Sequence, residues 1–282
     1  RNAITPKTKA IIPVDIAGFP CDYNTIMKVV NEPEIKALFL PETENQRKLG
    51  RILVLNDAAH SLGAWYEKGI RTGSETDIAI FSLHAVKNIT TAEGGAICLN
   101  LPEPFDNASL YAELRMMSLN CQTKDAFSKS KAGGWRYDIV GLGLKINMAD
   151  VNAAIGLAQI RKYDKLLKER KRVFQMYDDA FSKCDWAILP PAKKEGRETS
   201  YHIYALRIQD ITEEKRDAMI DEIARKGVAV NVHFIPMPML SFFNQQGYDI
   251  ADYPVAYNNY KREISLPIYP QLTDEQVRCV ID

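Results

Sequence analysis

No apolar run in this chain approaches the length needed to span a bilayer, so no membrane-embedded role is expected. The opening Arg1-Asn-Ala-Ile-Thr-Pro has no signal-peptide core. It also lacks Met, and it runs at once into Thr5-Pro-Lys-Thr-Lys-Ala and an apolar segment. That start reads as a cut through a larger protein. Net charge is absent too: 36 Lys and Arg balance 36 Asp and Glu. This argues against a nucleic-acid or anionic-membrane binder that works through bulk charge, but leaves room for a local basic pocket that holds a phosphate. The five cysteines, Cys21, Cys98, Cys121, Cys184 and Cys279, are odd in number, widely spaced and without a C-x-x-C pair. They support neither a disulfide framework nor a structural zinc site, and they point to a reducing, cytoplasmic setting. Internal repeats and low-complexity segments are also missing.

What is present is an ordinary globular composition, 46% hydrophobic and 26% charged over 282 residues, enough for one large or two ordinary domains. The first part alternates short apolar runs with helical or loop segments. Ala10 to Val14 reads as a strand and Tyr23 to Val30 as a helix. Arg51-Ile-Leu-Val-Leu-Asn56 and Ile78 to Leu83 read as strands buried on both faces, and Ala96 to Leu99 as another after the Gly94-Gly95 turn. This order indicates an α/β fold with a mainly parallel sheet. Asp150 suits the N-cap of a long helix with Val151, Ala154, Ile155 and Ala158 in one stripe, and its charged end, Arg161 to Arg172, reads as a solvated face. A smaller α+β domain comes next: Tyr201 to Ile208 and Val228 to Phe234 as strands, His202 within the first, and Lys215 to Lys226 as a helix stopped by Gly227. Thr273-Asp-Glu-Gln276 matches a capping box that opens a last helix, which the end of the chain cuts short. The expected division is 1–172 for a large domain lacking its N-terminal part, and 173–282 for the small one.

Two residues carry chemistry. Lys87 comes after the apolar strand that ends near Leu83, and Asp57, thirty residues upstream, ends another. Ligands of open parallel sheets bind outside the carboxyl ends of the strands. A lysine and an acid at such ends are the two protein groups that pyridoxal phosphate needs. The lysine holds the aldehyde as a Schiff base, and the acid keeps the pyridine nitrogen protonated. A free lysine has a pKa of about 10.4, so a lysine base near neutral pH requires burial or a neighbouring cation.

Four ordered stretches then resemble one family. Asp57-Ala-Ala-His-Ser-Leu-Gly-Ala64 resembles the D-A-A-H/Q-A/S-x-G-A segment of the DegT/DnrJ/StrS sugar aminotransferases. Ser82-Leu-His-Ala-Val-Lys-Asn-Ile-Thr-Thr-Ala-Glu-Gly-Gly-Ala96 is similar to their lysine segment, with wording nearest the branch that makes UDP-4-amino-4-deoxy-L-arabinose. Asn152-Ala-Ala-Ile-Gly-Leu-Ala-Gln159 and Ser265-Leu-Pro-Ile-Tyr-Pro270 resemble two later segments. The resemblance implies a type I pyridoxal phosphate-dependent transferase fold and a homodimer with shared active sites. It also implies amino transfer from glutamate to a nucleotide-linked keto-sugar, UDP- or dTDP-4-keto, for amino-sugar or polysaccharide biosynthesis.

The resemblance assigns roles residue by residue. Lys87 is the Schiff-base and proton-transfer residue, and Asp57 the partner of the ring nitrogen. His60 stands near the ring hydroxyl and Ser82 at the cofactor phosphate. His84 lines the pocket. Lys145 and Asn147 occupy the loop that reaches the partner subunit's cofactor phosphate, here Gly143-Leu-Lys-Ile-Asn-Met148, without the family's two tyrosines. His233, in His233-Phe-Ile-Pro236, faces the substrate, but Pro238 stands where the family has a second His. The family's Gly/Ser-Thr phosphate turn does not precede Arg1, so a non-catalytic, truncated homologue acting as a binding or regulatory protein is the alternative.

Overall fold

The computed structural model describes residues 1–67, 69–125, 129–132 and 134–282. It divides into two compact units. The first comprises residues 1–15, 20–62 and 70–161, and the second residues 16–19, 63–69 and 162–282.

In the first unit the apolar runs form a four-stranded sheet ordered Ala10–Ile11, Leu53–Asp57, Ile78–Ser82, Gly95–Leu99. The first three strands are parallel and the last is antiparallel, as expected for a mainly parallel α/β sheet. The helices Tyr23–Asn31 and Pro33–Leu38 supply Val30, Ile35 and neighbouring Phe39 to a core against Ile52 and Val54. Asp22 caps the first helix by accepting from the Thr25 N–H at 3.1 Å. The other face is covered less than the apolar runs suggest, for Ile80 and Ile97 stay 38% and 52% exposed. At the opposite end of the strands Arg51 grips Asp77 through two hydrogen bonds of 2.8 and 2.6 Å, both side chains buried. Asp77 also accepts from the Val54 N–H at 2.9 Å, which locks strand to strand.

The long helix expected from Asp150 is two helices, Asp150–Ile160 and Tyr163–Phe181. Ala149 takes the N-cap position, and Asp150 sits in the first turn. There its charge meets the positive end of the helix dipole without making a side-chain cap. The Arg161–Arg172 segment is not simply solvated. Arg170 is buried and donates to the Ile268 and His202 carbonyls at 3.1 and 3.3 Å.

The second unit is built on an antiparallel sheet ordered Glu263–Leu266, Tyr204–Ile208, Ala187–Ile188. Phe174 and Tyr177 of the Tyr163–Phe181 helix pack on Tyr204, with the Phe174 and Tyr204 rings edge to face at 4.7 Å. The Glu213–Arg225 helix is capped by Thr212, and Gly227 lies just beyond it with φ +86°, a conformation that suits glycine. The expected capping box forms and opens the Asp274–Ile281 helix. Two expectations are corrected. His202 precedes its strand, which begins at Tyr204. Val228 to Phe234 is not a strand. Among the described residues its bridge is Asn231 to Ser265; beyond it the Val232 N–H turns to Asn231 Oδ1 and the His233 N–H to Glu263 Oε2, which takes both out of a ladder.

At the carboxyl edge of the first sheet lies a fully buried carboxylate, Asp15. It accepts from Tyr23 Oη at 2.6 Å, the Cys21 N–H at 2.8 Å, Ser61 Oγ at 2.6 Å and Asn56 Nδ2 at 3.1 Å. Burial raises its pKa above the usual carboxylate range, against those bonds. Asp15→Ala would orphan several buried donors, each costing about 1–3 kcal/mol. Its urea midpoint should fall by the equivalent of at least about 3 kcal/mol, and Asp15→Asn, which keeps an acceptor oxygen, should lose less. An unchanged midpoint in Asp15→Ala would count against this role.

Candidate active site

The parallel register sets the site. Asp57 is the last residue of its strand and stands beside Ile80, two residues before Ser82. Its backbone N–H donates to the Pro13 carbonyl at 2.9 Å, and its carbonyl accepts from the Asp15 N–H at 3.1 Å. Its Oδ1 accepts from the Ala59 N–H at 3.1 Å, which turns the chain sharply and leaves the second carboxylate oxygen available. The half-buried Asp57 carboxylate is therefore fixed both through its backbone and through one of its own oxygens.

Lys87 lies beyond the neighbouring strand, Ile78–Ser82, in a compact turn. The Lys87 N–H donates to the His84 carbonyl at 3.0 Å, and the His84 N–H to Ser82 Oγ at 3.4 Å. Leu83 ties the turn to the Thr91–Gly94 stretch: its N–H donates to the Gly94 carbonyl and its carbonyl accepts from the Thr91 N–H, each at 2.9 Å. Half-buried, Lys87 loses hydration as an ammonium, and this lowers its pKa below the usual lysine range. The Asp57 carboxylate lies close enough to oppose that shift. Lysine and acid are thus brought together, with desolvation the larger effect.

Thr91 anchors the turn from behind. Asn152 Nδ2, on the Asp150–Ile160 helix, donates to the Thr91 carbonyl at 2.6 Å. Gly156 on the same helix lies so close that a Cβ there would sit 2.8 Å from Thr91 Cγ2. A Cβ at Gly94 would meet Met148 Cε at 2.7 Å and also the Thr91 hydroxyl. The two glycines are required by close approach.

The other residues singled out in the sequence do not all converge on this pair. His60 is buried on the turn after Asp57, next to Ser61, which holds Asp15. Ser82 is half-buried at its strand end. Exposed His84 has Nε2 3.5 Å from Glu93 Oε1. Lys145 and Asn147 hydrogen-bond to each other on an exposed loop, whose Ile146 and Asn147 N–H groups donate to the Ser118 carbonyl at 2.9 and 3.0 Å. His233 belongs to the second unit, where Nδ1 lies 2.7 Å from Ser265 Oγ. Sequence reasoning missed Asp15, Thr91 and Glu263. An aspartate after an apolar run and a glutamate before Ser-Leu-Pro were the only signals.

The model of the DegT/DnrJ/EryC1/StrS aminotransferase family matches residues 1–39 and 43–282. The chain belongs to that family. It is 34% identical to the Bacillus subtilis spore coat polysaccharide biosynthesis protein SpsC over 287 residues, covering 99% of this chain and 67% of SpsC. The Methanocaldococcus jannaschii protein MJ1066 is 36% identical, with 100% and 67% covered. A putative sugar aminotransferase from Streptococcus pneumoniae, Spr1654, superposes in its PMP form with a TM-score of 0.92 at 40% identity, covering 99% of this chain and 69% of that one. Its PLP form gives 0.91 at 38%, covering 99% and 68%. This aminotransferase therefore has the type I pyridoxal phosphate-dependent transferase fold expected from its sequence. Among the described residues no helix is long and apolar enough to cross a membrane.

The electrostatics at Lys87 have a measurable sign. Asp57 opposes the lowering of the Lys87 pKa, so Asp57→Asn should lower it further. Competitive acetylation of the cofactor-free protein across pH, read on the Lys87 peptide by mass spectrometry, should show the midpoint moving down. A midpoint that stays put or rises would contradict the pairing.

Proposed function

We propose that this aminotransferase moves an amino group from glutamate to a keto-sugar carried on a nucleotide diphosphate, with pyridoxal phosphate as its cofactor. The observation that carries the reading is the desolvated Lys87 beside the Asp57 carboxylate. That donor set fits the cofactor: an amine with a lowered pKa, an acid for a protonated ring nitrogen, and a strand-end hydroxyl, Ser82, in the same turn as the amine. When bound, the cofactor supplies an aldehyde that accepts an amino group and a ring that withdraws electrons.

In this reading Lys87, as a neutral amine, takes a proton from the carbon that bears the donor's amino group and later returns one to the acceptor's carbon. Asp57, fixed by the Ala59 N–H, holds a positive charge opposite it. His60, buried on the Asp57 turn, would lie on the ring side of the bound cofactor, and Ser82 would help hold its phosphate. His84 and His233 contact the sugar nucleotide. The names of SpsC, a polysaccharide biosynthesis protein, and Spr1654, a putative sugar aminotransferase, support the substrate class. The functional division into a cofactor domain, 1–172, and a smaller domain, 173–282, belongs to the same proposal.

Lys87→Ala should abolish the visible absorbance that pyridoxal phosphate gives when loaded on the wild-type protein. It should also slow 2-oxoglutarate release from glutamate by at least about a hundredfold. A wild-type protein that takes up no pyridoxal phosphate would sink the reading. Product analysis with UDP- and dTDP-4-keto-sugars then separates the acceptors.

We further propose a homodimer in which the loop of Lys145 and Asn147 reaches the partner's cofactor phosphate. Its supporting feature is an exposed apolar loop, with Leu142 97%, Ile146 68% and Trp135 69% exposed. Such density is costly on a monomer surface. Leu142→Asp should convert the wild-type dimer to monomer by light scattering. A wild-type monomer at micromolar concentration would argue against the arrangement.

A further inference from the structure

Lys87 stands where its chain passes from open to covered. Val86 before it is 65% exposed, while Asn88 and Ile89 after it are 7% and 4% exposed. The depth of the lysine is therefore the depth at which the loop from Leu83 to Thr91 is held. That loop is closed at its base, where the Thr91 N–H and the Thr90 hydroxyl both donate to the Leu83 carbonyl, at 2.9 and 3.3 Å. Just beyond the base Ala92 has φ +68°, a conformation that alanine keeps only where its surroundings impose it. The Ala92 N–H donates to Thr90 Oγ1 and Thr91 Oγ1 to the Glu93 carbonyl, each at 2.8 Å. The Thr91 carbonyl takes its partner from outside the turn, Asn152 Nδ2 at 2.6 Å.

Asn152 and Gly156 are one turn apart on the Asp150–Ile160 helix and so share a face. Asn152 bonds the Thr91 carbonyl, and Gly156 lies against the Thr91 methyl, which a Cβ would approach to 2.8 Å. Met148, just before the helix, reaches Gly94, where a Cβ would meet its Cε at 2.7 Å. A glycine inside a helix is less stable there than alanine, so close approach is the reason for one at 156. A hydrogen bond, a methyl contact and a thioether contact thus converge on one turn.

We propose that Asn152 is a positioning residue for Lys87: with Gly156 it clamps Thr91, and through the closed base of the loop it sets how far the Lys87 amine is withdrawn from water. The path runs from Asn152 Nδ2 to the Thr91 carbonyl, and from the Thr91 N–H to the Leu83 carbonyl. Burial lowers the Lys87 pKa and the Asp57 carboxylate opposes it, burial being the larger effect. Of the other charged groups nearby, His84 and Glu93 lie 3.5 Å apart on the same turn, and Asp150 is exposed at the start of the helix. A released loop would rehydrate the ammonium and also loosen it from Asp57. Because burial dominates, the net result is a rise toward the ordinary lysine range. Loss of Asp57 acts in the opposite sense, so a charge partner and a positioning residue are told apart by sign. The consequence for the reaction rests on the reading of Lys87 as the amine that moves protons: a higher pKa leaves less neutral amine near pH 7.

The test reads Lys87 in the cofactor-free protein by competitive acetylation across pH, with the other lysines of the chain as internal controls. In Asn152→Ala the Lys87 midpoint should rise by about half a pH unit, and Asn152→Gln, which keeps an amide donor, should bring it back toward wild type. A size swap follows the same path without touching the amide. Gly156→Ala should raise the midpoint by displacing Thr91 from Asn152, and adding Thr91→Ser, which removes the crowded methyl, should return it. If Asn152→Ala does not fold, the swap decides. An unchanged Lys87 midpoint in folded Asn152→Ala, or in Gly156→Ala, would overturn the proposal even if the melting temperature falls, because a merely structural contact predicts that outcome. Cofactor uptake does not enter the measurement. A protein that shows these shifts but binds no pyridoxal phosphate would overturn the proposed reaction and leave the positioning residue standing.

Discussion

The carboxylate of Asp15 is the constraint on which the site is built. A charged group with no solvent contact is expensive unless hydrogen bonds replace its water. Here the replacements come from four different places: the chain just before the Tyr23–Asn31 helix, that helix itself, the strand that ends in Asp57, and the turn that carries His60. Each donor is satisfied only when its own segment is in position. The carboxylate thus converts a burial cost into a geometric requirement. Neighbouring backbone bonds at Pro13 and Asp15 then fix Asp57, so the strand-end acid inherits its position from a buried one.

Lys87 shows the opposite use of burial. A structural lysine would be drawn to its carboxylate and stay charged. The pull of Asp57 is present, but loss of hydration outweighs it. Half-burial is the condition for that balance. Full exposure would return the lysine to its ordinary range, and deeper burial against the same acid would favour a locked ion pair. The turn that holds Lys87 therefore has to be rigid at an intermediate depth. Hydrogen bonds from Leu83 to Gly94 and from Thr91 to Leu83 set that depth.

What the sequence made legible was whatever depends on local order. The apolar runs ending at Asp57 and Ser82 are strands because short β-branched and aliphatic runs bounded by turns have few alternatives. Lys87 and Asp57 stood out because charged residues rarely sit where such strands end. The helix break at Arg161 and Lys162 was hidden, since no proline or glycine marks it. Val228 to Phe234 has the composition of a strand, yet the side chains of Glu263 and Ser265 compete for its polar groups. Asp15 and Glu263 were illegible for the same reason. Their partners lie up to 46 and 30 residues away, and nothing within reach of a local window distinguishes a buried acid from a surface one.

Separate motifs in the sequence become single objects in the structure. The lysine segment and the Asn152-to-Gln159 segment are far apart in the chain, yet Thr91 joins them: Asn152 donates to its carbonyl, and Gly156 and Gly94 leave room for its side chain. Any side chain larger than hydrogen at Gly156 would push on Thr91, then on Leu83, and so on the depth of Lys87. The His233 and Ser265 segments are joined in the same way by Nδ1, Oγ and a shared carboxylate. The pattern of residues that the sequence presents as short separate motifs is therefore the projection of two packed contacts, one behind the Lys87 turn and one beside His233. This accounts for why small and polar residues, such as Gly156, Asn152 and Ser265, stand in those motifs beside the residues that carry the chemistry.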